Sequence, residues 1–118
     1  MRIVPRRAGR GRPTTPDTLE QLLNALPTAP EYHEVDQVLL HAGQVLDVLQ
    51  ANYVHMMEDW RPKRRWKVRR DIEQSIAEVE GAVRALVVHQ DARLAVARLT
   101  AALPLLRRAW AGQMLAGV

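Results

Sequence analysis

The chain has 118 residues, of which 47% are apolar and 25% are charged, and it contains no cysteine. This length suits one domain with a buried core, and the missing cysteines exclude disulfide scaffolds, thiolate metal sites, iron–sulfur clusters and thiol nucleophiles. The net charge of +4 is divided into blocks, which bear on partners rather than on the fold: +5 over residues 1–16, −8 over 17–60, +7 over 61–70, −4 over 71–91 and +4 over 92–118.

An arm rich in arginine, glycine and proline precedes the first apolar period. Residues 1–15 contain five arginines and no acid, which predicts a flexible basic arm ahead of a single helical domain over residues 16–118. No apolar run approaches the roughly 18 residues that cross a membrane, and no apolar signal region follows the basic N-terminus. We therefore expect a cytoplasmic protein that makes no membrane contact.

Part of this arm, Gly9-Arg10-Gly11-Arg12-Pro13, resembles the core of an AT-hook, a short element that lies in the minor groove of AT-rich DNA. The sequence departs from that family at Gly9, where proline is usual, and it has no basic residues directly after Pro13. The resemblance implies minor-groove contacts by arginine. A generic phosphate-binding arm and an inert or protein-bound tail are the alternatives. The arginines concerned are Arg6, Arg7, Arg10 and Arg12.

Four helices are predicted, one short and three long, and no strand. Thr15-Pro16-Asp17 signals the first helix start, with Thr15 or Asp17 as the cap and with capping-box spacing between Asp17 and Glu20. The prolines within residues 27–30 end this helix, because proline removes a backbone donor. Its apolar stripe consists of Leu19, Leu22, Leu23 and Leu26.

The second helix is expected over residues 30–60, because two apolar sets recur there at seven-residue spacing. The sets are Val35, Ala42, Leu49 and Met56, and Leu39, Leu46, Tyr53 and Trp60. Gly43 lies inside this pattern. Because glycine costs roughly 1 kcal/mol in a helix relative to alanine, it marks either a close helix contact or a bend.

A break at Arg61-Pro62 separates the second helix from a third, which is expected over residues 62–90. The apolar seam of the third helix is Ile72, Ile76, Val79, Val83 and Leu86. Asp91 then caps a fourth helix, and Pro104 within it is expected to kink or split it. The seam of the fourth helix is Val96, Leu99, Leu103, Leu106 and Trp110. The fold class is therefore all-α, a small antiparallel helical bundle.

The strongest functional signal is the run of residues 61–70, which holds seven cations and no acid. If Pro62 opens a helix, these cations crowd an end that already carries about half a positive charge, and a bound phosphate would relieve this. Arginine makes bidentate phosphate contacts, and tryptophan stacks on unpaired bases. The candidate nucleic-acid-binding residues of the run are Arg61, Lys63, Arg64, Arg65, Trp66, Lys67, Arg69 and Arg70, to which the four arm arginines are added.

The alternative for this run is neutralisation by the chain's own acids. Lys67 and Arg69 each have an acid four residues later, at Asp71 and Glu73, which is the spacing of helical ion pairs. Four acids flank seven bases, so at least three cations face solvent or another helix. Trp66 is assigned either to the edge of the core or to ligand stacking, whereas Trp60 continues the apolar seam.

A possible enzyme motif lies at the end of the third helix, in Arg84-Ala85-Leu86-Val87-Val88-His89. This segment resembles the arginine–four–histidine motif of HEPN-type ribonucleases, which are small all-α domains. The resemblance implies RNA backbone cleavage by Arg84 and His89. The sequence departs from the family at Ala85, where a polar residue is usual. Residues five apart point about 140° apart on a straight helix, so the two would share a site only if the helix end bends.

We expect a non-enzymatic subunit of a nucleoprotein assembly that binds the phosphate backbone of DNA or RNA without sequence specificity. The small subunit of CRISPR-type effectors is an analogy in size, helical class and basic surface. A protein partner or self-association is also expected. The alternatives are a protein–protein interaction module (adaptor, inhibitor or virion component) using the charge blocks, and the HEPN-like ribonuclease. No metal, cofactor or small-molecule substrate is expected.

Overall fold

The computed structural model describes residues 13–56, 58 and 60–116. Within that part of the chain there are four helices and no strand, so the predicted all-α bundle of one short and three long helices is confirmed. None of these helices combines the length and apolarity needed to cross a bilayer. The helices are α1 (Pro16–Asn24), α2 (Tyr32–Met56), α3 (Pro62–Val87) and α4 (Ala92–Ala116).

The short helix α1 is fixed at its start by a cap and on its surface by a double ion pair. The Thr15 hydroxyl accepts a hydrogen bond from the Thr18 amide at 3.2 Å, so Thr15 is the cap and Asp17 with Glu20 forms no capping box. Both carboxylates instead bind the guanidinium of Arg107 on α4, each at 2.5 Å. The hydrogen bond that Arg107 donates to the Asp17 carboxylate is the largest cause that raises the pKa of Arg107, and the charge of Glu20 adds to it.

The second helix is shorter than predicted at both ends, covering Tyr32–Met56 instead of residues 30–60. At its start the backbone amide of Glu31 donates to the Glu34 carboxylate at 2.9 Å. This reciprocal bond of a capping box places the helix start after Glu31. Trp60, which follows the end of α2, is nevertheless buried in the core.

The core is organised around α4, which packs against each of the other three helices. Its buried stripe alternates alanine with leucine, and all five side chains are fully buried: Ala95, Leu99, Ala102, Leu106 and Ala109. Val96 and Trp110, which were predicted to belong to this seam, are only half-buried. Alanine presents a single methyl group, so neighbouring helices can approach the α4 backbone closely.

The facing stripe of α3 follows the prediction in part. Ile72, Val79 and Leu86 are buried as expected, whereas Ile76 is half-buried and Val83 is exposed. Small residues complete the buried stripe in their place, and these are Ser75, Ala82 and Ala85. Small side chains on both helices favour a close α3–α4 contact, which is the most extensive interface in the bundle.

The fourth helix runs unbroken through Pro104, so of the two predicted effects, a kink or a split, the split does not occur. Proline has no amide hydrogen and therefore leaves the carbonyl of Thr100 without its helical partner. Both residues are exposed, so water can solvate that carbonyl. The buried neighbours Leu103 and Leu106 hold the helix on the core on either side of the proline.

A four-residue turn joins α3 to α4 and ends α3 at Val87 rather than at residue 90. Gln90 has a φ of 53°, in the left-handed region that favours glycine. The amide of Asp91 donates back to the Ala85 carbonyl at 2.9 Å. The Asp91 carboxylate accepts the Leu94 amide at 3.0 Å, so the predicted cap of α4 is confirmed.

Replacing Leu19 by alanine is expected to lower the free energy of unfolding by about 2–5 kcal/mol, because its fully buried side chain would leave a cavity. Leu94, which is 40% exposed on α4, provides the matched control. Leu94→Ala should cost less than about 1 kcal/mol. Urea unfolding followed by circular dichroism measures both. Equal losses would mean that α1 is not part of the cooperative core.

Gln90→Gly is expected to raise the free energy of unfolding by up to about 1 kcal/mol, because glycine adopts positive φ without steric strain. Gln90→Ala keeps the Cβ atom and should give no gain. Thermal unfolding of the two variants beside the unchanged chain makes this comparison. A gain with alanine equal to that with glycine would contradict a conformational origin.

Candidate nucleic-acid interface

The third helix starts without the usual compensation for its positive end. Pro62 occupies the first turn, and Arg61 before it is extended (φ −62°, ψ 148°) and forms no side-chain capping bond. No acidic residue lies in the first turn. The first-turn amides of a helix lack helical partners and carry the positive end of its dipole. Cations therefore surround a helix end that already favours an anion.

One arginine of the run points to the bundle rather than to solvent. The guanidinium of Arg64 donates to the Gly112 carbonyl of α4 at 3.0 Å. A Cβ atom at Gly112 would lie 3.3 Å from the Val68 side chain, so glycine permits this close approach of the two helices. The C-terminal end of α4 carries the negative end of the helix dipole, which also attracts the Arg64 cation. Arg64 thus joins α3 to α4 and does not belong to the outward-facing surface of the run.

Two of the flanking acids have taken partners. Arg69 lies 3.4 Å from the Glu73 carboxylate, so the ion pair predicted from the i,i+4 spacing is confirmed. The spacing of Lys67 to Asp71 produces no such pair. Asp71 instead lies 4.0 Å from Arg108 on α4, and its side chain is only 13% exposed. Asp71 therefore faces the neighbouring helix and leaves Lys67 unneutralised among the described residues.

The remaining outward positions form one surface, which we call the basic face: Lys63, Trp66, Lys67 and Arg70. Their spacing of three, four and seven residues places them on one side of α3, and all four are exposed. Its three cations form no ion pair with any other described residue. Trp66 is 62% exposed, and the guanidinium of Arg70 lies 5.4 Å from the centre of its ring. Such a cation–π contact stabilises the indole ring in its solvent-exposed position.

The other two cations of the run flank this face. Arg61 is exposed and Arg65 is half-buried, and neither forms an ion pair within the described part of the chain. Trp60 differs from Trp66 and is 5% exposed. Its ring meets Tyr53 edge-to-face with 5.8 Å between centroids, which confirms the predicted core position.

The residues of the HEPN-like segment lie at the opposite end of α3. Arg84 is on the last turn of the helix, whereas His89 is in the turn that follows, and both are exposed. The amide of His89 donates to the Arg84 carbonyl at 3.3 Å, a contact between backbones only. Among the described residues, no hydrogen bond or ion pair joins their side chains.

Other predicted binding residues fall outside the described part of the chain, namely Arg6, Arg7, Arg10 and Arg12. Sequence reasoning missed the α4 residues that make polar contacts with the neighbouring helices. Gln113 is buried and donates to the Leu49 carbonyl of α2 at 2.7 Å. Arg108 adds a cation beside α3. Contacts between positions so far apart in the chain leave no local signal in the sequence.

Searches of protein-family models, curated proteins and solved structures found no match to this chain. No activity can therefore be carried over by likeness, and a helical bundle by itself does not imply one. In the part of the chain that the structure describes, no group of three or more metal-binding side chains lies together. The candidate site consequently depends on the chemistry of the basic face.

Arg64→Ala is expected to lower the free energy of unfolding by about 1–2 kcal/mol, because it removes a charged hydrogen bond between α3 and α4. Lys67→Ala, one turn later on the exposed surface, should change it by less than about 0.5 kcal/mol. Urea unfolding curves of the two variants provide the test. If they coincide, the Arg64–Gly112 contact contributes nothing to stability.

Proposed function

We propose that this protein is a non-enzymatic nucleic-acid-binding subunit that contacts phosphates through the basic face without sequence specificity. The observation that carries the proposal is the state of its cations. Lys63, Lys67 and Arg70 are exposed and form no ion pair with other described residues, although acids are close in the sequence. Unpaired cations beside an exposed tryptophan favour the binding of an external polyanion.

The location of the basic face supports a phosphate ligand in particular. Lys63 lies in the first turn of α3, where unpartnered amides and the helix dipole also attract negative charge, and Lys67 and Arg70 extend the face along the next two turns. Each cation that neutralises a phosphate releases a condensed counterion, so binding must weaken with salt. Contacts of this type hold the backbone and do not discriminate between base sequences.

Trp66 on this face can also contact a nucleic-acid base, in addition to the phosphates that the cations bind. The Arg70 guanidinium lies against the Trp66 ring, which leaves the opposite ring face for a base. Base–aromatic stacking contributes about 1–3 kcal/mol per base and tolerates any sequence. A single strand, whose bases are open, fits this arrangement better than a duplex does.

Membership of a larger assembly is the second part of the proposal. The described part of α2 carries acids but no lysine or arginine, so the bundle offers a negative surface apart from the basic face. In a nucleoprotein such a surface would contact basic protein neighbours, as in the analogy with small CRISPR effector subunits. A function confined to protein–protein contact is the competing proposal, and it predicts no preference for nucleic acid over another polyanion.

The test is an anisotropy titration with labelled single- and double-stranded DNA and RNA of one length, at two salt concentrations, with dextran sulfate as competitor. Lys67→Ala with Arg70→Ala should weaken binding about tenfold or more at low salt, by a similar factor for every sequence. The slope of log K against log salt should fall by about 1.4 for single strands.

The matched control removes two exposed arginines from the other end of the bundle, in Arg84→Ala with Arg93→Ala. Its net charge equals that of the first variant, so it should retain most of the affinity if position matters. Equal losses of affinity in both variants would mean that net charge, and not the position of the cations, determines binding. Binding no tighter than that of dextran sulfate would overturn the proposal.

A further inference from the structure

An open groove of about 340 Å³ lies between α2 and α3, toward the opposite end of α3 from the basic face. Apolar side chains on its two walls remain in water: Leu40 is 60% exposed, Val83 43% and Val87 54%. Val83 and Val87 follow Trp66 by about 25–32 Å along the helix axis. This α2–α3 groove is thus separate from the basic face, and it presents apolar surface that the described helices do not cover.

A glycine in the wall of the groove has no explanation inside the bundle. Gly43 lies in the middle of α2, where glycine is a poor helix former. Its φ is not positive, and a Cβ atom built on it would meet nothing within 4 Å. Neither backbone strain nor helix packing therefore requires glycine here. Its effect is to open the α2 backbone to a group that enters from outside.

The charge at the edges of the groove indicates what enters it. Asp36 and Asp47 both line the groove, and they lie about 16 Å apart along α2. No lysine or arginine of α2 offsets them. The complementary ligand is apolar in its centre and carries cations on both sides of that centre.

The basic face has this arrangement. Trp66 lies between Lys63 and Arg70, which are about 10 Å apart along α3, and both cations have long side chains that extend this span. Its ring is the most exposed aromatic side chain among the described residues. One indole ring is also of a size that a groove of about 340 Å³ accommodates.

We propose that the α2–α3 groove binds the basic face of a second copy of this chain. Trp66 of one copy enters the groove beside Gly43 of the next, and the flanking cations approach Asp36 and Asp47. Because the two surfaces differ, the contact is head-to-tail and generates open chains of molecules rather than a closed pair. The inference rests on the groove and goes beyond nucleic-acid binding, which would compete for the same face.

The experiment is sedimentation velocity on nuclease-treated full-length protein over a hundredfold range of concentration. The weight-average mass should rise above that of the 13.4 kDa monomer, and added salt should reverse the rise. Val87→Glu in the groove and Trp66→Ala on the basic face should each weaken self-association at least tenfold. An equimolar mixture of these two variants should form a dimer and nothing larger, because each supplies the surface that the other lacks.

Two further variants separate the contact from general effects. Gly43→Lys replaces glycine by a better helix former and places bulk and a cation in the groove, so association should be lost while the melting temperature does not fall. Ala101→Glu introduces the same charge as Val87→Glu on an exposed part of α4 and should leave association unchanged.

A chain that stays monomeric at every concentration would overturn the inference, and so would association that survives both Val87→Glu and Gly43→Lys. A mixture of the two single-surface variants that fails to dimerise would also contradict the head-to-tail arrangement. These outcomes are independent of the anisotropy titration, which uses dilute protein. Failure of one proposal therefore leaves the other standing.

Discussion

The buried stripe of α4 is the surface against which the other helices are placed. Its alternating alanines and leucines are fully buried, and α4 packs against all three neighbours. The polar ties follow the same helix: Arg107 holds α1, the Gly112 carbonyl receives Arg64 of α3, and Gln113 donates to α2. Both candidate surfaces depend on this packing, since it fixes the start of α3 and leaves one side of the α2–α3 contact open.

The positions of helices and caps were largely predictable, because local chemistry determines them. The sequence correctly indicated the caps Thr15 and Asp91 and the start of α3 at Pro62. The alanine stripe of α4 was missed, because a methyl group gives a weak periodic signal beside leucine and valine. The larger residues Val96 and Trp110 were assigned to the seam in its place, and they are only half-buried.

The candidate site was predictable as a run of cations but not as a face. Seven bases in ten residues were evident, yet the sequence could not separate Arg64, which binds α4, from Arg70, which lies over Trp66. That separation depends on a partner 48 positions away. The groove was unpredictable for the same reason, because Val83 had the spacing of a core residue and only the tertiary arrangement of α2 and α3 leaves it exposed.

The cations in the first turn of α3, of which Lys63 belongs to the basic face, oppose the local stability of that helix. Positive charge at a helix N-terminus is unfavourable by a few tenths of a kcal/mol to about 1 kcal/mol for each group, and α3 has no acid in its first turn to offset it. Locally unfavourable sequence choices of this kind tend to lie where a protein meets a ligand. The same charges that weaken the helix alone would strengthen it once an anion is bound.

The dense contact between α3 and α4 has a consequence for how the chain folds. Only four residues connect these helices, so their interface, the most extensive in the bundle, closes a short loop at small entropic cost. Topologies rich in such near-neighbour contacts fold within microseconds to milliseconds. The α3–α4 hairpin is therefore expected to form first, and α1, which reaches α4 from about 90 residues away in sequence, is expected to dock last.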